Sequence, residues 1–222
     1  MSMAETILDL LIPPRCAFCG AIMPRRESGV CAACEKSLPF RPAGQVMRKA
    51  GQFDCAVTFY YEGAVRSGIH AMKFRRQRQR ARVFARYLAQ TAAEELGGRF
   101  DAVTYVPVSP LRRFSRGYDQ SRLLAEACAR IWQEKSVKTL RKVRNNPPQS
   151  SVKTPAQRRA NVLGVYRPLP HADIAGKRLL LIDDVVTTGS TLEACAQTLL
   201  LAGAKSVVCA ALAGDRKSGK TP

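Results

Sequence analysis

The segment Leu179-Leu-Leu-Ile-Asp-Asp-Val-Val-Thr-Thr-Gly-Ser-Thr191 limits what this chain can fold into more than any other. An apolar run of strand character ends in two carboxylates. A loop of small hydroxyl residues around Gly189 follows, and then a helical pattern over Ser190–Leu201. A continuous apolar strand is buried on both faces, and such strands belong to parallel sheets covered by helices. Open α/β sheets bind ligands at the carboxyl ends of their strands, where this loop must fall. The backbone N–H groups and hydroxyls of Thr187, Thr188, Gly189, Ser190 and Thr191 suit a phosphate at a helix N-terminus. Asp183 and Asp184, directly before that cradle, suit a ligand with adjacent hydroxyls such as a ribose 5-phosphate. Two other readings of an acidic strand end lack their motifs: the chain has neither G-x-x-x-x-G-K-[ST] nor G-x-G-x-x-G.

The rest of the chain alternates in the same way. Strands are expected at Phe53–Tyr61, Ala102–Val108, near Val137–Val143, and at Val162–Tyr166, Arg178–Asp183 and Ser206–Leu212. Helices are expected at Gln79–Leu96, where Val83, Phe84, Tyr87, Leu88 and Thr91 share a face, and at Gln120–Gln133 and Ser190–Leu201. This pattern predicts an α/β domain with a mostly parallel sheet flanked by helices. Three units follow: an N-terminal module over residues 1–50, the α/β domain over 51–214, and a basic tail over 215–222 within a loose end running from Ala213. The module begins with a short amphipathic helix over Ala4–Leu11, stopped by Pro13-Pro14, and closes in the connector Leu38–Gly44.

Between them lie Cys16-Ala-Phe-Cys19 and Cys31-Ala-Ala-Cys34, a C-x2-C-x11-C-x2-C pattern. Each pair forms a knuckle that directs two thiolates at one ion, so Cys16, Cys19, Cys31 and Cys34 complete a tetrahedral structural zinc site. Disulfides are the weaker alternative in a reducing compartment. A redox-active CxxC would open a helix in a thioredoxin-like context, which the sequence lacks. Cys55, Cys128, Cys195 and Cys209 fall inside apolar patterns and read as buried small hydrophobes.

Charge narrows the function. Lys and Arg number 36 against 17 Asp and Glu, a net charge of +19. No acid interrupts Gly63–Ala93 or Lys135–Ala172. Scattered charges usually mark a solvated face, but ordinary surfaces mix both signs, so acid-free spans of this length point to a phosphate-bearing partner. With 46% hydrophobic residues the chain has material for a core. No stretch approaches the ~20 apolar residues of a spanning helix. Ile7–Ile12 is too short and too acidic in its flanks for a secretory signal, so a cytoplasmic protein is expected.

The segment around Asp183 and Asp184 resembles the phosphoribosyl-pyrophosphate (PRPP) signature of type I phosphoribosyltransferases. Together with the four-cysteine module, the chain is similar to the ComF/GntX family. Further matches are Met72-Lys-Phe-Arg75, Val106-Pro-Val108, Arg116-Gly-Tyr-Asp-Gln-Ser121, Gln149 and Arg158-Arg-Ala-Asn161, in the family's order. Two departures are Asp119, where many relatives carry Asn, and Asn146, where Thr is frequent.

The resemblance implies a type I phosphoribosyltransferase fold. Asp183 and Asp184 would hold the ribose hydroxyls as the catalytic pair, and Thr187–Thr191 the 5-phosphate. Magnesium would accompany PRPP, and pyrophosphate would leave as a nucleophile attacks the anomeric carbon. Arg112, Arg113, Arg116 and Gly117 follow the strand ending at Val108 and are candidates for the pyrophosphate loop. The polar stretch Arg144–Ala160 matches the class's mobile loop, with Arg158 and Arg159 as further phosphate contacts and Lys73 as another candidate. ComF-type relatives are linked to natural competence. A second expectation is therefore a non-catalytic PRPP-fold protein that grips single-stranded DNA, or meets competence-machinery proteins, during DNA uptake.

Overall fold

In the computed structural model, which describes residues 13–24, 29–49, 53–144 and 164–216, the apolar run before the acidic pair is an interior strand of a five-stranded sheet. The strands are β1 (Met47–Lys49), β2 (Phe53–Tyr60), β3 (Ala102–Tyr105), β4 (Leu140–Lys142), β5 (Tyr166–Pro168), β6 (Arg178–Val186) and β7 (Ser206–Gly214). The sheet order is β1-β2-β7-β6-β3, parallel except for the edge pair β1–β2. β4 and β5 form a separate antiparallel ribbon. The helices are α1 (Ala32–Ser37), α2 (Gly63–Phe74), α3 (Arg80–Leu96), α4 (Pro110–Arg116), α5 (Gln120–Ile131) and α6 (Ser190–Leu201).

Strand periodicity distributes the core. On β6, Leu180 and Ile182 face the side filled by Phe84, Leu88 and Leu124 of α3 and α5. Leu179 and Leu181 face Leu192, Cys195 and Leu199 of α6. All four β6 residues are fully buried, each contributing about 1.5–3 kcal/mol. Covering both faces explains why the strand is apolar without alternation.

The N-terminal knuckles share the first of these cores. Phe18 is 1% exposed and packs against Phe59, Phe84 and Tyr87, with centroids 5.6, 5.1 and 5.9 Å away. Gly68 of α2 makes the approach possible: a Cβ there would lie 2.7 Å from the Ala17 carbonyl oxygen. Within the span 1–50, residues Met47–Lys49 supply the edge strand of the main sheet. The helix at Ala4–Leu11 lies outside the described residues.

Several boundaries differ from expectation for local reasons. β6 does not stop at Asp183; its pairing with β7 continues to Val186↔Gly214, so both aspartates lie within the strand. β3 ends at Tyr105, one more backbone bond (Val106 N–H to Ile182 O) closes it, and Pro107 has no N–H to continue. The strand expected near Val137–Val143 is only Leu140–Lys142, and the one at Val162–Tyr166 is Tyr166–Pro168. α2 and α4 fall where no helix was expected. β7 extends through Gly214, and Arg216 pairs with Glu62 at 2.6 Å, so the chain is tied down beyond Ala213.

Candidate active site and zinc centre

β6 runs through the acidic pair, and side chains from two helices, α2 and α5, reach its carboxylates. Asp184 is 7% exposed and accepts from Lys73 Nζ of α2 at 2.7 Å. Asp183 lies on the side whose field reaches Cys195 and Cys209. Its Oδ1 accepts from Ser121 Oγ of α5 and from the Asp184 backbone N–H, both at 2.8 Å. Burial and then the charge of Asp184 push the Asp183 carboxyl up to about 7, against the pull of the Ser121 hydrogen bond. One member of the pair is thus a paired carboxylate and the other is poised near neutrality.

Beyond the strand, Gly189 has φ 78°, a left-handed conformation that suits glycine, and it turns the chain into α6. Thr188 Oγ1 and Ser190 Oγ lie 3.0 Å apart within this turn. The first amides of α6 lack intrahelical partners by geometry, so hydroxyls and N–H groups gather on one concavity.

The segment after β3 is a helix start rather than an open loop. Ser109 caps α4, its Oγ accepting from the Arg112 N–H at 3.4 Å, and Pro110 takes the first helical position. Gly117 ends α4 with φ 78°. Asp119 caps α5: its Oδ1 accepts from the Arg122 N–H at 3.2 Å and its Oδ2 from the Val108 N–H at 3.0 Å. Burial nonetheless pushes the Asp119 carboxyl up. An Asn side chain could make the first of these bonds but has only one oxygen, which gives the departure at this position a structural consequence.

The three arginines of α4 separate. Arg116 stands in the field of Asp184, stacks over Phe74 at 4.9 Å and donates to Gln120 Oε1 at 2.9 Å. Arg112 sits one turn earlier, where its charge reaches Arg116, Lys142 and Tyr166. Arg113, about 100° around the helix from Arg112, instead lines a neighbouring cavity together with Gly117. Lys73, Asp183, Asp184 and Arg116 come together; Arg113 and Gly117 do not join them. Arg158 and Arg159, with Asn146 and Gln149, lie outside the described residues. Ser121 and Gln120 complete the neighbourhood and carried no assigned role in the sequence reading, whereas Phe74, expected to pack in the core or to stack on a base, is exposed beneath Arg116. The contiguous run Arg116–Ser121 was the available signal.

The four cysteines of the knuckles converge. Their Sγ atoms all lie within 4.8 Å of one another, with Cys19 and Cys31 3.7 Å apart. An ion about 2.3 Å from each sulfur would set tetrahedral sulfurs about 3.8 Å apart, so the set fits zinc. Backbone N–H groups of Cys31 and Ala21 donate to Cys16 Sγ and Cys19 Sγ, each at 3.5 Å. Burial raises the Cys16 thiol, but the amides of Cys31, Cys19 and Phe18 outweigh it and bring it down to about 6. The second CxxC does open a helix, α1, with Cys31 at its N-cap. Its thiols nonetheless face the other knuckle. Arg80, buried at the start of α3, donates to the Ala17 and Phe18 carbonyls and locks the first knuckle to the α/β core. Cys55, Cys128, Cys195 and Cys209 are buried, and burial pushes each thiol up, as small hydrophobes require.

The fold and site define an α/β protein of the phosphoribosyltransferase type carrying an N-terminal four-cysteine zinc module. Residues 117–222 match the phosphoribosyl transferase domain, and residues 7–52 match the double zinc ribbon domain. The chain is similar over most of its length to proteins of the ComF/GntX type. The DNA utilization protein YhgH of Salmonella typhimurium is 28% identical over 89% of this chain and 96% of its own. Its Escherichia coli (strain K12) namesake is 27% identical over the same shares. Competence protein F of Haemophilus influenzae is 24% identical over 87% of this chain and 93% of its own. Among solved structures, the purine phosphoribosyltransferase of Pyrococcus horikoshii aligns with a TM-score of 0.35 and 21% identity over 66% of this chain and 78% of that one. The allosteric regulatory enzyme of purine biosynthesis aligns at 0.38 and 24% identity, over 59% of this chain but 25% of that one.

Proposed function

We propose that this protein binds PRPP at the acidic pair and transfers its phosphoribosyl group to a nucleophile, releasing pyrophosphate. The observation that carries this reading is the pairing of Asp184 with Lys73 beside the Gly189 turn. A carboxylate for hydroxyls and a cation for phosphate meet on the strand that leads directly into a helix N-terminus. Asp183 and Asp184 would receive the ribose hydroxyls. Thr187–Thr191 would surround the 5-phosphate, and Lys73, Arg112 and Arg116 would face the leaving pyrophosphate. Positive charge developing on the sugar would be stabilised by the two carboxylates. Magnesium fits beside Asp183 and Asp184, since it favours one or two carboxylates together with ligand phosphates, and it would neutralise the leaving group. The reduced cysteines and their zinc fit a cytoplasmic setting. Among the described residues no helix is long and apolar enough to cross a membrane.

The test is a thermal melt. PRPP with magnesium should raise the Tm of the zinc-loaded protein, and Asp184→Asn should abolish the rise. No rise at about millimolar PRPP overturns the reading.

A second reading rests on a separate observation. A groove of about 900 Å³ runs between the first knuckle and α2, lined by Arg15, Arg66, His70, Arg75 and Arg80, with no carboxylate among its lining residues. His70 stacks on Phe74 at 4.5 Å beside it. Cations with aromatic platforms suit single-stranded nucleic acid, and the relatives' names refer to DNA utilization and competence. Affinity for a single-stranded oligonucleotide should then fall steeply with salt. A binding constant indifferent to salt removes this reading.

A further inference from the structure

A cavity of about 610 Å³ lies on the far side of α4 from the acidic pair. Tyr105 at the end of β3, Pro107 and Val108 after it, Phe114 of α4, Tyr118 between α4 and α5, and Leu123 of α5 form its apolar walls. Arg113, Arg122, Lys138, Arg141 and Lys142 stand around them, from α4, α5, β4 and the segment before β4. Neither Asp183 nor Asp184 lines it.

The charges in this cavity are unbalanced. Of its two carboxylates, Asp119 accepts from the Val108 and Arg122 amides, and Glu126 pairs with Arg122 at 2.7 Å. That leaves Arg113, Lys138, Arg141 and Lys142, none of which makes a close ion pair among the described residues, although the charge of Asp119 reaches Arg113 and that of Asp183 reaches Lys142. The chain that continues from β4 cannot supply a carboxylate, because no acid occurs between Lys135 and Ala172. Cations around the rim of one cavity repel one another, and an anion placed among them would relieve that repulsion. Lys142 is half-buried over the Tyr166 ring, where burial and the charge of Arg112 weaken its hold on the proton. The walls call for the other half of the ligand: aromatic faces and prolines accept a planar ring. The volume falls in the range of about 300–1,000 Å³ usual for small-ligand sites.

We propose that this cavity is a second ligand site that binds a nucleoside monophosphate, its base against Tyr105, Phe114 and Tyr118 and its phosphate on Lys138, Arg141 and Lys142. The site shares with the acidic-pair cradle the segment from Val106 to Asp119, and the charges of Arg112 and Asp183 reach its Lys142. It stands whether or not the cradle takes PRPP.

The probe is adenosine 5′-monophosphate, added to the zinc-loaded full chain and followed by thermal melt and calorimetry. At roughly ten times its dissociation constant it should raise the Tm by about 3–5 °C. Lys138→Ala/Arg141→Ala, which changes two exposed side chains, should weaken binding about tenfold or more while leaving the response to PRPP and magnesium intact. Asp184→Asn should keep the nucleotide response. Absence of any response at about 10 mM nucleotide overturns the proposal. So does an equal response to adenosine without the phosphate, which would remove the role of the cations. A response lost in Asp184→Asn but kept in the Lys138/Arg141 variant would place the nucleotide in the acidic-pair cradle instead. The PRPP arm of the experiment reads the cradle independently, so the two proposals fail separately.

Discussion

The zinc knuckles meet α2 near its middle and the acidic-pair cradle meets its last turn, and the two use polar groups in opposite ways. At the knuckles, Gly68 admits the Ala17–Phe18 backbone, Arg80 holds those carbonyls, and four thiols face one another. These contacts serve the fold. At the cradle end, Lys73 closes on Asp184, Arg116 waits in its field, and Asp183 is held near neutrality by burial and its neighbour. On the reading proposed above, those groups face a ligand. The knuckle is therefore expected to govern stability, and the cradle ligand response and pH dependence.

The hardest way to break this comparison is to remove the metal. Cys31→Ser/Cys34→Ser should reduce bound zinc to near zero and lower the Tm by about 10 °C or more, because metal binding and folding of such a module are one event. Unchanged metal content by elemental analysis would refute the zinc assignment. Next in size, Phe18→Ala empties a site bounded by Phe59, Phe84 and Tyr87. It should cost about 3–5 kcal/mol in urea unfolding. Retained zinc in that variant would separate docking of the knuckle from its metal. Gly68→Ala should be milder, about 1–3 kcal/mol, since its methyl meets the Ala17 carbonyl oxygen at 2.7 Å and one of the two backbones must shift. A neutral result would mean that α2 and the knuckle are loosely joined.

The smallest effect belongs to the cradle. The folded-state pKa of Asp183 is raised to about 7, whereas the unfolded chain releases that proton near ~4. The folded protein binds the extra proton between those values, so this contribution to stability is complete below about pH 4 and is lost as the pH rises through 7. Ligand-free Tm should fall across that window in the wild type, and Asp183→Asn should flatten the fall. Parallel profiles for the two proteins would show that the carboxyl is not perturbed as its burial requires.

Much of the architecture was legible because its signals are local. The limits of α6 coincide with the expected Ser190–Leu201, since Gly189 and the hydroxyl residues before it form an unambiguous start. α3 and β2 were readable to within a residue. α2 was not. Its buried positions Val65, Ile69 and Met72 follow helical spacing, but two glycines and a dense run of cations obscured the pattern. α4 was missed although Ser109-Pro110 is a helix-start signal, because the family resemblance drew attention to its arginines as a loop. The extension of β6 through the acidic pair could not be read from the sequence. Whether a strand continues depends on its neighbour, here β7, offering pairing as far as Gly214.

By itself the sequence determined the covalent spacings that act at short range: the two CxxC knuckles, the adjacent aspartates and the turn at Gly189. The tertiary structure alone decided which distant groups complete them. Lys73 reaches Asp184 across 111 positions, Ser121 reaches Asp183 across 62, and Arg80 reaches the knuckle across 63. It also placed Arg113 on the wall of a neighbouring cavity. A parallel sheet returns the carboxyl end of every strand to one edge through crossovers whose length carries no information about which side chains will meet there. Pairing, burial and helix rotation set those encounters, and they exist only once the sheet has formed.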